Sequence, residues 1–350
     1  MTSRGAGASP AAAMLRVGAT MALPQVVQGL GFSPHEVLSD GGFDVGLFDD
    51  PENTMSYAGR GRLMAHCAAK TGCEHFGLLV GQCDSLNSLG LVGLLMKYSA
   101  DVGAALSNLV RYFHLHAHGA SASLGVEGDT VILGYQILER RVRGNDQVGD
   151  GAVAAMANMV RELCGPEWLP MEVWFMHRKP ENLQAFREFF RAPLRYDAEH
   201  YAIVFPAAWL RRPLAEVDPD LQRLLQKQID SLAVRHGEDF PEQVRAVLRA
   251  ALLNGYARAD QVAALFSMHP RTLSRRLHTC GVAYQQLVDE GRFEVAQQML
   301  RDSDLQVSQI AFMLHYAESR SFIRAFRRWS GTTPASWRAM QRRSRFAVSG

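Results

Sequence analysis

From Gln243 onward the chain is a succession of short helical patterns separated by turn signals, and one of those patterns occurs twice. Val244, Val247, Leu248 and Ala251 mark a helix stopped near Asn254-Gly255, and Asp260 is expected to cap the next one. That next helix is apolar through Val262, Ala263, Leu265 and Phe266. After a break at Ser267 to His269, Pro270 opens a second helix, with Leu273 and Leu277 inward and Arg271, Thr272, Ser274, Arg275 and Arg276 outward; Cys280-Gly281 closes it. A long helix from about Ala283 to Leu300 follows. Then Val307, Ile310, Ala311 and Leu314 form another small apolar helix, His315-Tyr316-Ala317 the turn, and Ser319 to Trp329 a second basic helix. Phe322, Ile323, Phe326 and Trp329 face in; Arg320, Arg324, Arg327 and Arg328 face out. Gly331 ends it, and Pro334 starts a final short helix through Trp337 and Arg338. A helix held by one apolar side, with an exposed polar side, is what entry into a major groove about 12 Å wide requires.

Charge sharpens that reading. From residue 240 to the end there are 16 Arg, no Lys and 8 acidic residues, a net of +8, whereas the remainder carries 21 basic and 27 acidic residues, a net of −6. The guanidinium is a planar, always-charged fork suited to phosphates and guanine edges, so nucleic acid is the expected partner. The basic part lacks the exposed aromatic platforms of sheet-based RNA binders, which points to double-stranded DNA. Two such units on one chain can read successive major grooves about 34 Å apart.

The first two hundred residues read differently. Residues 1–15 look like a flexible leader, and 20–115 are mostly helical, with a stripe of period near 3.6 through Val102, Leu106, Leu109, Val110 and Phe113. Ser121 to Val126 and Thr130 to Leu138 alternate around Glu127-Gly128-Asp129, a hairpin. A helix from about Val148 to Leu163, a strand Met171 to Met176, a helix Asn182 to Phe190 and a strand Tyr201 to Phe205 follow. The expected fold is an α+β N-terminal domain (16–213), a linker helix (214–240), an all-α C-terminal domain with two helix-turn-helix motifs joined by a long helix (241–340) and a tail (341–350). The linker stripe Leu221, Leu224, Leu225 and Leu232 is a candidate partner surface for a homodimer; packing on its own N-terminal domain is the alternative.

Other features carry less. His114, His116 and His118 would share one face in a strand, but they end a helical stripe that spreads them around the axis, and no carboxylate or thiol completes a set, so no metal is expected. Five cysteines without framework spacing fit reduced thiols, and no apolar run is long enough to span a bilayer; a cytoplasmic protein without signal peptide or membrane association is expected. No nucleophile elbow, Walker loop, HExxH or dinucleotide fingerprint stands in a suitable context, so neither enzyme activity nor a cofactor is expected. Trp168, Trp174, Phe175 and Tyr201 are candidates for lining a small-molecule pocket, with ordinary core packing as the alternative. The rival reading is an enzyme or small-molecule carrier that its basic domain merely tethers to nucleic acid.

Ser308-Gln309-Ile310-Ala311, Ser321-Phe322-Ile323-Arg324-Ala325-Phe326-Arg327-Arg328-Trp329, Gly331-Thr332-Thr333-Pro334 and Trp337-Arg338 together resemble the signature of AraC/XylS-family transcription regulators. Leu273-Ser274-Arg275-Arg276-Leu277 with Gly281 is similar to that family's first recognition helix, and Arg292 and Ala296 to its linker helix. His315-Tyr316 departs from the usual Gly-Phe. More loosely, Phe76-Gly77-Leu78, Leu89-Gly90-Leu91-Val92-Gly93 and Arg195-Tyr196-Asp197-Ala198-Glu199 resemble the effector domain of the arabinose-binding-like subgroup. The resemblance implies a sequence-specific regulator, of activator type, controlled by a small molecule and working with RNA polymerase. It places Arg271, Ser274, Arg275, Ser319, Arg320 and Arg324 toward bases, with Thr272, Arg276, Arg327 and Arg328 toward phosphates.

Overall fold

The computed structural model describes residues 13–139, 143–215, 218–235 and 239–348. The expected leader lies outside them except at its end, where Met14–Arg16 (β1) is already paired with a second strand. The chain then runs through α1 (Leu23–Gly29), α2 (Pro34–Asp40), β2 (Thr54–Ser56), α3 (Tyr57–Thr71), α4 (Phe76–Gln82), α5 (Leu91–Lys97) and α6 (Val102–Tyr112). Ser56 Oγ accepts the Gly59 N–H at 3.0 Å to start α3, and Asp101 caps α6 through the Ala104 N–H at 2.7 Å.

The hairpin is β3 (Ala120–Glu127) and β4 (Thr130–Ile137), with Glu127 opposite Thr130 and Gly128 at φ 58° in the turn. After α7 (Asn145–Cys164) come β5 (Glu172–Trp174), α8 (Gln184–Phe190), β6 (Leu194–Arg195) and β7 (Tyr201–Pro206). These complete a five-stranded sheet of order β3-β4-β7-β5-β6, antiparallel except for the β5–β6 pair. The α4 and α7 helices cross with backbones almost touching: a Cβ on Gly77 would lie 2.0 Å from the Gln147 carbonyl oxygen, and one on Gly81 2.1 Å from that of Gly151.

Both faces of this sheet are buried. Val131, Leu133, Tyr135, Ile203 and Phe205 face the effector-domain helices. Ile132, Ala202 and Val204 face the other way and share a core with the C-terminal half. There α9 (Pro219–Arg235) leads to α10 (Phe240–Leu253), α11 (Ala259–Leu265), α12 (Pro270–Thr279), α13 (Tyr284–Asp302), α14 (Val307–Met313), α15 (Ser319–Ser330) and α16 (Pro334–Val348). Val244, Val247, Leu248 and Tyr256 pack against the second sheet face, while α14 to α16 build a separate small core around Ile310, Phe322, Phe326 and Trp337.

Several sequence expectations shift. The linker stripe is spent on the chain's own effector domain: Leu225 and Ile229 are buried in its core and Leu221 packs beside them, leaving Leu224 53% exposed. Asp260 is not a cap; Arg258 holds that position, and its guanidinium pairs with the Asp260 carboxylate at 2.9 Å. The final helix continues to Val348, through most of the span expected to be a tail.

Candidate nucleic-acid interface

Each helix-turn-helix unit is built around one left-handed residue that is not glycine. Ser267 (φ 51°) follows α11 and His315 (φ 56°) follows α14. In both turns the next amide returns to the preceding helix: Met268 N–H to the Ala263 carbonyl at 2.9 Å, and Tyr316 N–H to that of Ala311 at 3.0 Å. The imidazole at 315 has a use. Its Nε2 lies 3.3 Å from the Leu253 carbonyl oxygen, tying the second turn to the end of α10. The neighbouring Tyr316 ring lies under the Arg292 guanidinium, 5.0 Å from ring centre to Cζ.

The second helix of each unit sits as the pattern predicts. Leu273 and Leu277 of α12, and Phe322 and Phe326 of α15, are fully buried. His269 Nδ1 accepts the Arg271 N–H at 3.2 Å and starts α12, while Gly331 ends α15 at φ 74°. Arg271, Ser274 and Arg275 are exposed on α12, as are Arg320, Arg324 and Arg327 on α15; Ser319 and Thr272 are half-buried. Arg324 donates to its neighbour Ser321 Oγ at 3.2 Å. Arg271, Arg275, Arg320 and Arg327 form no hydrogen bond or ion pair through their side chains among the described residues. Exposed guanidinium groups without protein partners lose nothing internal when they bind phosphate or a guanine edge.

Two of the expected phosphate ligands are engaged inside the protein. Arg276 lies 4.0 Å over the Phe240 ring, at the start of α10. Arg328 donates to Asp289 Oδ2 at 3.0 Å and lies 5.8 Å over Trp329. The scaffold is braced by ion pairs between successive turns of α10 and α13, Arg245 with Glu290 and Arg249 with Glu294, and by Arg338, whose guanidinium donates to the Leu300 and Leu305 carbonyls.

Of the four aromatic effector candidates, Trp168 and Phe175 are fully buried in the domain core, and Trp174 packs under Arg195 on the sheet. Tyr201 lines a cleft of about 440 Å³ between the halves, with His177, Asp146 and Met176 on one side and Leu253 and Met313 on the other. Behind it His177 Nε2 lies 2.7 Å from Asp150 Oδ1; burial raises the Asp150 carboxyl, while burial acts to lower His177 and is outweighed by the interactions with Asp150 and its neighbours, which leave it raised. A second cleft, about 500 Å³, lies between Leu15, Arg16, Leu91 and His118 on one wall and Ile229 and Leu232 of α9 on the other. Sequence reasoning missed Asp150, although one carboxylate in the apolar run from Val148 to Met156 was its signal. No group of three His, Cys, Asp or Glu among the described residues is arranged to hold a metal, and none of their helices is long and apolar enough to cross a membrane.

Residues 31–214 match the family model described as the arabinose-binding domain of AraC transcription regulator, N-terminal, and residues 262–340 match that of a helix-turn-helix domain. The HTH-type transcriptional regulator VirS of Mycobacterium tuberculosis is 30% identical over 303 residues, which cover 85% of this chain and 88% of that one. The ornithine utilization regulator of Pseudomonas aeruginosa is 25% identical over 297 residues, covering 83% and 86%. The crystal structure of the transcriptional regulator CdpR from Pseudomonas aeruginosa aligns with a TM-score of 0.40 at 23% identity, over 75% of this chain and 86% of that chain.

Proposed function

The chain belongs to the AraC family of transcription regulators, with an N-terminal ligand-binding domain and a DNA-binding helix-turn-helix region, and we propose how its surfaces divide that work. Arg271, Ser274 and Arg275 on α12, with Ser319, Arg320 and Arg324 on α15, read base edges in successive major grooves about 34 Å apart. Thr272 and Arg327 hold phosphates. Arg276 and Arg328 add to that contact only by leaving Phe240 and Asp289. The observation that carries this reading is the set of exposed, internally unpartnered arginines repeated on two helices.

The protein acts in the cytoplasm, without catalysis, as an activator that contacts RNA polymerase from the DNA. A homodimer would bind two such double sites. Nuclease protection on DNA flanking the protein's own gene tests the groove assignment. The expected footprint is two protected stretches on one face, centred about 10 base pairs apart per protomer. Equal protection of random duplex would remove the base-reading assignment, and sedimentation at micromolar concentration tests the dimer.

A further inference from the structure

Arg60 stands in the run Tyr57-Ala58-Gly59-Arg60-Gly61 of α3 and is only 4% exposed. Its Nε has no hydrogen-bond partner, and its guanidinium forms no ion pair among the described residues. An always-charged group left in this state is strongly unfavourable, so native proteins pair such a group or bring it an anion. Arg60 lines an interior cavity of about 40 Å³. The acidic residue on that wall, Asp84, is 6% exposed and accepts a hydrogen bond from Ser88 Oγ at 3.0 Å rather than one from Arg60. His116, also 4% exposed, has its Nδ1 buried without a partner on the same wall. Leu109, Ala152, Ala155, Met156 and Met159 make half of the remainder.

We propose that this cavity is a carboxylate site, in which Arg60 holds the anionic head of a small amphipathic monocarboxylic acid. The inference rests on the reading of the N-terminal domain as a small-molecule sensor and names its ligand class. The volume admits a carboxylate group, or three to four waters at about 10–15 Å³ each. A phosphate fits the chemistry less well, because Arg60 is the one always-charged cation among the described residues of the wall and cannot balance two negative charges away from water. The rest of the ligand has an apolar route toward the larger cleft. Leu89 and His116 line both this cavity and the 500 Å³ cleft, so they form the partition between them. A tail passing between these two residues reaches Ile229 and Leu232 of α9, the helix that leads to the DNA-binding half. Met156 and Met159 are flexible, polarisable walls that can re-pack around such a tail.

The test is calorimetric titration of the full-length protein with octanoate, 1-octanol and octyl phosphate. Octanoate is expected to bind about tenfold or more tightly than either of the others, and Arg60→Met to lower its affinity by about tenfold or more. Equal affinity for octanoate and 1-octanol overturns the proposal, and needs no variant that might fold poorly. So does undiminished octanoate binding by Arg60→Met, or no binding by any straight-chain carboxylate from butanoate to decanoate. Tighter binding of octyl phosphate replaces the carboxylate class and overturns it as well. If octanoate binds through Arg60 yet leaves DNA affinity unchanged, the site is upheld and the sensing role beneath it is overturned.

Discussion

Gly125 of β3 lies tight against the other half, and adding one methyl there separates docking from folding. A Cβ on Gly125 would lie 2.1, 2.3 and 2.5 Å from the Cζ, Cε2 and Cε1 atoms of Tyr256. Carbon contacts are favourable at about 3.5–4.0 Å, so the ring must retreat by roughly 1.5–2 Å. It cannot swing away alone. Tyr256 is 7% exposed, its amide donates to the Ala251 carbonyl at 2.8 Å, and its hydroxyl donates to Glu127 Oε1 at 3.2 Å. Moving the ring therefore moves the α10–α11 turn off the sheet. Backbone entropy alone would make Gly125→Ala stabilising by roughly 0.5–1 kcal/mol, whereas overpacking costs about 1–3 kcal/mol, so a net loss of about 1–2 kcal/mol is expected.

Urea unfolding of the full chain measures this, and a cycle with Tyr256→Ala isolates its cause. Removing the buried ring alone costs about 3–5 kcal/mol. It also opens the space the new methyl needs, so the double variant is expected to lose no more than Tyr256→Ala alone. Strictly additive losses would mean the methyl clashes elsewhere, and a silent Gly125→Ala would mean the halves are not held together at this contact.

The remaining predictions concern the DNA surface and the buried acid. Arg275→Ala or Arg320→Ala should cost about 1–3 kcal/mol at the operator and relax discrimination at one or two base pairs, as gel shifts on operator variants would reveal; equal losses on random DNA contradict base reading. Arg327→Ala should weaken all duplexes alike and reduce the salt slope of binding by about one. Arg328→Ala should change that slope less, because Asp289 already compensates its charge. Burial pushes the Asp84 carboxyl up to about 7, above its ordinary 3.8. The folded state therefore holds a proton that the unfolded chain releases between those pH values. Its stabilising effect is complete below about pH 4 and is lost as pH rises through about 7, making the protein more stable at pH 5 than at pH 8 by about 2–3 kcal/mol from this group. Asp84→Asn should remove that share of the difference in urea midpoints, and an unchanged difference would contradict it.

What could be read from the sequence depended on how local the information was. The C-terminal helices were legible because each carries its own period, turn residues and apolar anchors, as Leu273 and Leu277 illustrate. The hairpin was legible from Gly128 and its alternation. The double burial of the sheet was not. Ser121, Ser123 and Gly125 on β3 look like a solvated face in alternation, whereas small residues there let α10 approach, and Asn254 donates to Ser123 Oγ at 3.0 Å. Size alone does not distinguish water from a close helix. The pairing of β1 with β2 was invisible because three residues are too few to show a period. Arg60 and Asp84 were missed because nothing local marks them as buried: Arg60 stands beside Arg62 between glycines, and Asp84 lies in the polar stretch Gln82-Cys83-Asp84-Ser85 that reads as an exposed loop. The stripe from Leu221 to Leu232 was read correctly as apolar, but periodicity does not say against what it packs.

Arg111 provides a way to ask whether docking is one equilibrium or several local contacts. It projects from α6, whose Leu109 lines the Arg60 cavity. Its guanidinium lies 3.7 Å from Asp230 of α9, donates to Gln243 Oε1 of α10 at 3.5 Å, and stands 5.0 Å over the Phe266 ring beside the first turn. None of these partners is shared with Gly125, whose close contact is Tyr256. If the halves dock as a unit, Arg111→Met and Gly125→Ala draw on the same docking free energy. Their losses then add only until that free energy is exhausted, after which further interface substitutions such as Tyr256→Ala cost the effector domain nothing more. Independent local contacts would instead add without limit, within about 0.5 kcal/mol. A combined series, followed by urea unfolding of the effector domain and by operator binding, decides between the two. The expected result is a plateau in effector-domain stability, with operator binding retained, because the exposed faces of α12 and α15 take no part in the docking contacts. A ligand under α9 can then act on DNA affinity by the same route, shifting an equilibrium between docked and undocked halves by its differential affinity for them. Losses that grow linearly through the triple variant would rule out this single docking equilibrium as the link between effector and DNA.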